Sequence, residues 1–323
     1  KYFSGATASK IPLPTLTRII KHPIFTFDGD YHVKNGYDLT SSAFLDMNFK
    51  PIKLPKTITE DDLQDAWDWL FAAPGETDVN DEQCGLFGEF PFCDEDDDSG
   101  TASRVNWLSC LLQPLVRDMI GGPTPMYLID KPTAGSGSSL MATLMNRILT
   151  GDAVPMTQYK SNMEEFEKLL VSKLMNDSDG VMYYDNVNVK VDNGTLASAI
   201  TSGVFSGRIL GSSNQVKLPI RHVWMISGNN VTFSDEMIRR LIPIRLDAKH
   251  DAPADRANFA IKYPERWVVE HRERLFWALC IFVQNWVDRG MKHGSGSLGS
   301  FEEWAGVMSG IMEAADIGDK QTG

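Results

Sequence analysis

Cysteine is scarce in this chain: Cys84, Cys93, Cys110 and Cys280 are the four in 323 residues. So few, so scattered, exclude a disulfide framework, and Cys110 and Cys280 fall inside apolar helical patterns where a buried thiol is the simplest reading. Cys84 and Cys93 have no histidine near them, and no metal is assigned to them. Long apolar runs are lacking as well. No stretch approaches the roughly 20 residues of a membrane helix, and no basic start followed by an apolar segment resembles a signal peptide. The expected compartment is therefore the cytoplasm, with no membrane partner. Positive charge is the third shortage: 31 Lys and Arg stand against 43 Asp and Glu, a formal charge of −12. That balance excludes a generally basic nucleic-acid-binding surface but not local contact through a few focused cations. What the chain does have is apolar residue, 42% against 23% charged, enough to bury the cores of about two ordinary domains. It begins at Lys1 and stops mid-pattern at Gly323, so a piece of a longer polypeptide is expected.

The most informative segment runs Leu128-Ile129-Asp130-Lys131-Pro132-Thr133-Ala134-Gly135-Ser136-Gly137-Ser138-Ser139-Leu140. An apolar strand (Met126 to Ile129) enters a Gly/Ser turn and leaves it as a helix of good formers (Leu140 to Leu149). That arrangement aims backbone N–H groups and a helix N-terminus at a polyphosphate. One residue is missing. In the pattern GxxxxGK[ST] a lysine follows the last glycine, whereas Ser138 and Ser139 follow Gly137 here. Lys131, at the mouth of the turn, is the candidate replacement, since its long stem can carry an ammonium over the phosphates. The alternative is a plain solvated loop lysine. The amides of Gly135, Ser136, Gly137, Ser138 and Ser139 would cradle the phosphates, and Ser139 stands at the Ser/Thr position of that pattern, whose hydroxyl takes Mg²⁺.

Two further strands support the loop. Val181-Met182-Tyr183-Tyr184-Asp185 has the form of a buried parallel strand that delivers a carboxylate to the carboxyl edge of a sheet, where Asp185 could hold Mg²⁺. His222 to Ser227 runs into Gly228-Asn229-Asn230, which would place an amide at the same edge to orient a water, or simply cap its own turn. Arg239 and Arg240 come ten and eleven residues after Asn229. Between the two strands, Arg208 to Leu218 alternates and turns over Gly211-Ser212-Ser213-Asn214, the pattern of a β-hairpin. From Ser103, a candidate helix cap, the whole pattern is α/β: strands near 126–130, 154–159, 181–185, 222–227 and 241–247, helices near 138–149, 162–175 and 194–202. Such alternation predicts a mostly parallel sheet with a ligand at its carboxyl edge. Before it, prolines break up short strand-like runs, a helix starts at the Thr59-x-x-Asp62 cap, and the acidic run Asp94 to Asp98 reads as a solvated linker. After it, a long helix runs from Pro264 to about Arg289, and another starts near Ser300 with Glu303 completing a capping box.

The order of loop, acidic strand, amide-tipped strand and arginine pair resembles the AAA+ ATPases, including the superfamily-3 helicases. The likeness is closer to the helicase-type ATPase half of primase-helicases carried by phages, plasmids and integrated elements. Phe90-Pro91-Phe92, Ala102-Ser103-Arg104-Val105-Asn106, Gly122-Pro123-Thr124-Pro125, Asp185-Asn186-Val187-Asn188, Gly207-Arg208-Ile209-Leu210-Gly211, Ile244-Arg245-Leu246-Asp247 and Ser300-Phe301-Glu302-Glu303-Trp304 also look like its motifs. The resemblance thus runs from about Gly36 to Ile317. It implies an α/β fold: an AAA+ P-loop NTPase core at 99–250 with a mostly parallel five-stranded sheet. An N-terminal accessory module with its acidic linker (1–98) would precede the core. A C-terminal helical lid (251–323), opening into a winged-helix domain, would follow it.

The same resemblance implies an ATP- and Mg²⁺-dependent ring helicase from a mobile-element DNA replication protein. Asp185, Asn229, Asn230, Arg239 and Arg240 would serve catalysis, an arginine acting as a finger on a neighbouring subunit's γ-phosphate, which requires a homo-oligomer, taken as a hexamer. A helix-end salt bridge is the plainer role for the pair. Single-stranded DNA would occupy the central channel, held by Arg208 and Lys217 if the hairpin is more than structural, and a primase would be fused or associated. Asn186 departs from the pattern, standing where many AAA+ ATPases place the glutamate that polarises water. An amide there removes a general base, for which Asp192 or Glu165 is a candidate source that the sequence does not decide between. Together with the missing loop lysine, this leaves an alternative: a nucleotide-binding, weakly or non-hydrolysing oligomeric scaffold that loads DNA.

Overall fold

The computed structural model describes residues 16–76, 84–95, 99–133, 135–176, 180–209, 214–249 and 259–317. Ala134 of the loop, most of the acidic run, the hairpin tip at 210–213 and the polar stretch around Pro253 lie outside the described residues. Short strands open the chain: β1 (Arg18–Ile20), β2 (Ile24–Phe25), β3 (Tyr31–His32), β4 (Gly36–Asp38) and β5 (Ala43–Leu45). Ile20, Ile24, Ala43, Leu45 and Met47 form a small core of their own there. Helix α1 (Glu60–Phe71) follows, and its start is the expected capping box, with Thr59 and Asp62 bonded reciprocally.

The remaining elements, in chain order, are β6 (Phe92–Cys93), α2 (Thr101–Leu112), β7 (Met126–Lys131), α3 (Ser138–Thr150), β8 (Met156–Thr157), α4 (Met163–Asn176), β9 (Val181–Tyr184), α5 (Gly194–Ile200), β10 (Val204–Arg208), β11 (Gln215–Pro219), β12 (Val223–Asn229), α6 (Asp235–Ile238), β13 (Leu241–Leu246), α7 (Pro264–Asp288) and α8 (Glu302–Ala314). The central sheet has the order β6-β13-β7-β12-β9-β8. Its five strands from β13 to β8 are parallel, and they are the five read from the apolar runs. β9 is buried throughout and β12 is buried except at its tip, as strands covered on both faces must be. The sheet has six strands rather than the expected five. β6 adds itself antiparallel to β13 through the pairs Arg245↔Cys93 and Leu246↔Phe92. Two residues are too short for any periodicity to reveal.

This order places a crevice. From β7 the chain leaves through α3 toward β8 at one edge, whereas from β12 it leaves through α6 toward β13 on the other side of β7. Neighbouring strands whose connections depart in opposite directions leave an opening at their carboxyl ends. The helix beyond that opening is held from behind. Buried Arg272 of α7 donates at 2.7 Å to both Ile148 O and Leu149 O, the open carbonyls near the end of α3. α7 also packs on α1, with Trp69 and Trp267 5.9 Å apart and the Arg274 guanidinium 3.6 Å over Trp277 and paired with Asp65. One large core therefore runs from Leu63 of α1 through the sheet to Ile311 of α8.

Two expected caps are built differently. Helix α2 is capped not by Ser103 but by Asp94, whose carboxylate accepts from Ala102 N and Ser103 N at 2.9 Å each, so the first acid of the supposed linker is fixed in place. Ser103 lies one turn in, where its hydroxyl donates to Cys93 O and accepts from Arg245 N, joining β6 to β13. Before α8 the carboxylate that turns back belongs to Glu302, which takes Ser300 N at 3.0 Å; Glu303 makes no capping box. Replacing Asp94 with Ala should lower unfolding stability by about 0.5–2 kcal/mol. Chemical denaturation would check this, and an unchanged midpoint would remove Asp94 from that role.

Among the described residues no helix is long and apolar enough to cross a membrane. All four cysteines are buried free thiols.

Candidate functional site

Strands β7 and β12 end side by side at the crevice, where Lys131 and Asn229 are register partners and Asn230 N donates to Lys131 O at 3.2 Å. The loop then climbs to α3. Gly137 precedes the first helical residue at φ 95°, and a Cβ there would stand 2.9 Å from the Phe90 ring, so glycine is required twice over. No side chain caps the helix, which leaves the amides of its first turn turned toward the crevice.

Lys131 is 6% exposed, and its ammonium donates to Ser138 Oγ at 2.8 Å. The cation thereby reaches the residue to which the GxxxxGK[ST] pattern gives its lysine, arriving from the strand end instead of from the helix. Burial pushes the Lys131 pKa down, opposed by the nearby Asp185 carboxylate. A half-desolvated ammonium of this kind gains from any anion brought to it.

Asp185 follows β9 and meets the start of α3 at Ser139, one residue on from the partner of Lys131. Three hydroxyls converge on its Oδ1: Tyr183 at 2.6 Å, Ser139 at 2.9 Å and Ser227 at 2.9 Å. Burial works to raise the Asp185 pKa, but these donors and the Lys131 ammonium together hold it below the usual carboxylate range. Among the described residues no group of three or more His, Cys, Asp or Glu could hold a metal ion. A hydroxyl and a single ionised carboxylate are a fitting donor set for Mg²⁺ that keeps waters and takes phosphate oxygens as its other ligands.

The polar tips divide by exposure. Asn229 and Asn230 are both exposed, Asn230 at φ 49°. Asn186 is exposed too, at φ 50°, with its N–H donating to Ser227 Oγ at 3.2 Å. Gly228 lets the two turns approach, since a Cβ there would lie 2.2 Å from both Val187 O and Val231 Cγ2. Of the substitute bases, Glu165 is exposed on α4 and paired with Lys168, and Asp192 is exposed beyond β9. The arginine pair is split: Arg240 is buried and bonded to the carbonyl and carboxylate of Glu236 in its own short helix, whereas Arg239 is exposed beside exposed Ile238.

β10 and β11 form the expected antiparallel hairpin, with Ser206↔Lys217 and Arg208↔Gln215 in register. Phe205 and Gly207 turn inward, Gly207 so close to α4 that a Cβ would lie 2.3 Å from Val171 Cγ2. Arg208 and Lys217 share the exposed face, two strand positions apart.

A cavity of about 340 Å³ adjoins the loop. Gly135, Ser136, Gly137 and Leu140 form one wall, Phe90 and Pro91 a second, and Phe259, Ile261 and Lys262 ahead of α7 a third. It is mostly apolar, with room for a flat heterocycle. Sequence reasoning missed this cavity, together with Tyr183 and Ser227. The tyrosine was hidden in an apolar run, although its place two residues before Asp185 puts it on the same strand face.

No family model matches the chain, and no curated protein does. Among solved structures, the C-terminal region of NrS-1 aligns with 97% of this chain at 16% identity and a TM-score of 0.41, with 64% of that structure covered. The JCV helicase aligns with 68% of the chain at 11% identity and a TM-score of 0.31, with 60% of it covered. The chain thus spans less than two thirds of either structure. Likenesses this distant say nothing about chemistry, which has to come from the residues.

Proposed function

We propose that this chain is the ATP-dependent motor module of a mobile-element DNA replication protein, a ring helicase or translocase that binds Mg²⁺–ATP in the β7–β12 crevice. One observation carries the reading: an ammonium (Lys131), the open first turn of α3, and a hydroxyl–carboxylate pair (Ser139 and Asp185) converge on the same opening. Polyphosphate is the ligand that satisfies all three at once. The amides of Gly135 to Ser139 bind its oxygens and Lys131 neutralises their charge. Ser139 and Asp185 would hold Mg²⁺, which would supply neutralisation of the negative charge on the phosphates. The cavity beside Gly137 takes the nucleobase between Phe90 and Phe259. Asn229 or Asn230 orients the attacking water, and Arg239 reaches a neighbouring subunit's nucleotide.

Calorimetric titration of the purified protein with ATP in Mg²⁺ tests the reading. One saturable site is expected; absence of binding at millimolar ATP would overturn it. DNA enters through the hairpin. Lys217→Ala should weaken binding of single-stranded DNA of any sequence and make the salt slope of log affinity shallower by roughly one unit per contributing subunit, with ATP affinity unchanged. A salt slope equal to the parent's would reject Lys217 as a phosphate contact.

A second reading has its own observation. Asn186, exposed at the tip of the acidic strand, offers an amide where a carboxylate base would be wanted. That favours a module which holds nucleotide, hydrolyses it slowly or not at all, and serves as an oligomeric scaffold for loading DNA.

A further inference from the structure

Tyr183 and Ser227 have no part in the roles above, yet both side chains are fully buried and both spend their hydroxyls on Asp185. A phenylalanine at 183 and an alanine at 227 would fill the same interior without the cost of desolvating a hydroxyl, so the oxygens call for an explanation. The register supplies the geometry. Tyr183 and Asp185 lie two apart along one strand and share a face, and the pairing of Met225 with Tyr183 carries Ser227 alongside Asp185 on the neighbouring strand. Tyr183 Oη and Ser227 Oγ are 2.8 Å apart, and Ser227 also accepts the Asn186 N–H, so the acidic turn is tied to the strand that ends in Asn229.

All three donors, with Ser139 as the third, meet at one oxygen, Oδ1. Three hydrogen bonds fill the acceptor capacity of that atom, so a cation arriving at the crevice meets Oδ2. We infer that Tyr183 and Ser227 are positioning residues for the nucleotide's metal: with Ser139 they hold the Asp185 carboxylate by Oδ1, which leaves Oδ2 to meet the incoming ion. The inference rests on the Mg²⁺–ATP reading above. Partners that orient a metal-binding carboxylate in this way typically cost 10–100-fold in metal affinity when removed.

The test uses a fluorescent ATP analogue, with its affinity for the purified protein measured in EDTA and in Mn²⁺, and bound Mn²⁺ counted by electron paramagnetic resonance. Tyr183→Phe and Ser227→Ala each remove one oxygen. Each should keep the EDTA affinity within about twofold of the parent, which also shows that the variant is folded, while losing about tenfold or more of the Mn²⁺-dependent gain. Variants that melt earlier but keep the parent's full Mn²⁺-dependent gain would overturn the inference, because a merely structural hydroxyl behaves that way. Failure of the underlying reading looks different: the parent itself would show no gain from Mn²⁺, or no nucleotide binding at all.

Discussion

Lys131→Ala should weaken ATP binding by tenfold or more, about 1.4 kcal/mol or greater for removing one charge-assisted hydrogen bond in a partly desolvated site. The size of the effect follows from where the lysine is. Its ammonium is buried against Ser138, so phosphate oxygens entering the loop meet a cation that water has already largely left. Ser138 cannot compensate, because it brings a hydroxyl and no charge. A pH series gives a second readout with a defined sign. Burial lowers the Lys131 pKa, so the ammonium is lost as pH rises through a value below the ordinary 10.5. ATP affinity should therefore decline at a lower pH than an ordinary lysine would dictate, and that decline should vanish in the alanine variant. Unchanged nucleotide affinity in calorimetry would remove Lys131 from the site.

The arginine pair gives the second large effect, and the two residues should separate. Arg239→Ala should reduce ATPase turnover by about 10³-fold or more while ATP affinity stays near the parent's, as expected of a finger that acts on the transition state. Arg240→Ala should instead lower stability by about 0.5–1.5 kcal/mol, because its buried guanidinium is spent on the carbonyl and carboxylate of Glu236 within the same subunit. Mixing Arg239→Ala with Asp185→Ala protein should restore some activity, since a hybrid interface can pair an intact Asp185 site with an intact Arg239. If no mixture exceeds the sum of its parts and the protein stays monomeric with ATP at high concentration, the trans arrangement is wrong.

The parallel core was legible because strands buried on both faces must be apolar along their whole length, as Val181 to Tyr184 and Val223 to Ile226 are. The hairpin was legible in part: the alternation from Arg208 to Leu218 announced its turn and second strand, whereas its first strand begins earlier, at Val204. The same signals conceal polar atoms that meet at Asp185. Tyr183 counts as apolar in a burial pattern, and its hydroxyl acquires meaning when β12 brings Ser227 beside it. Pairings between distant segments were out of reach for a related reason: Asp94 caps a helix across a turn, and the two residues of β6 pair with β13 from far along the chain, with no local periodicity to announce either. Arg239 and Arg240 look alike in sequence and part company because α6 is short enough for one guanidinium to fold back onto Glu236. The place of Lys131 against Ser138 comes from the end of β7, where the missing lysine of the GxxxxGK[ST] pattern directs attention to the nearest cation.

The most direct measurement is the steady-state ATPase rate of the purified protein with and without single-stranded DNA. A motor with DNA on its hairpin and ATP at Lys131, Ser139 and Asp185 should turn over ATP in Mg²⁺ and turn it over faster when DNA is added, with both rates lost in Asp185→Ala. ATP that binds yet is not hydrolysed under either condition would contradict the motor and leave the scaffold reading in its place.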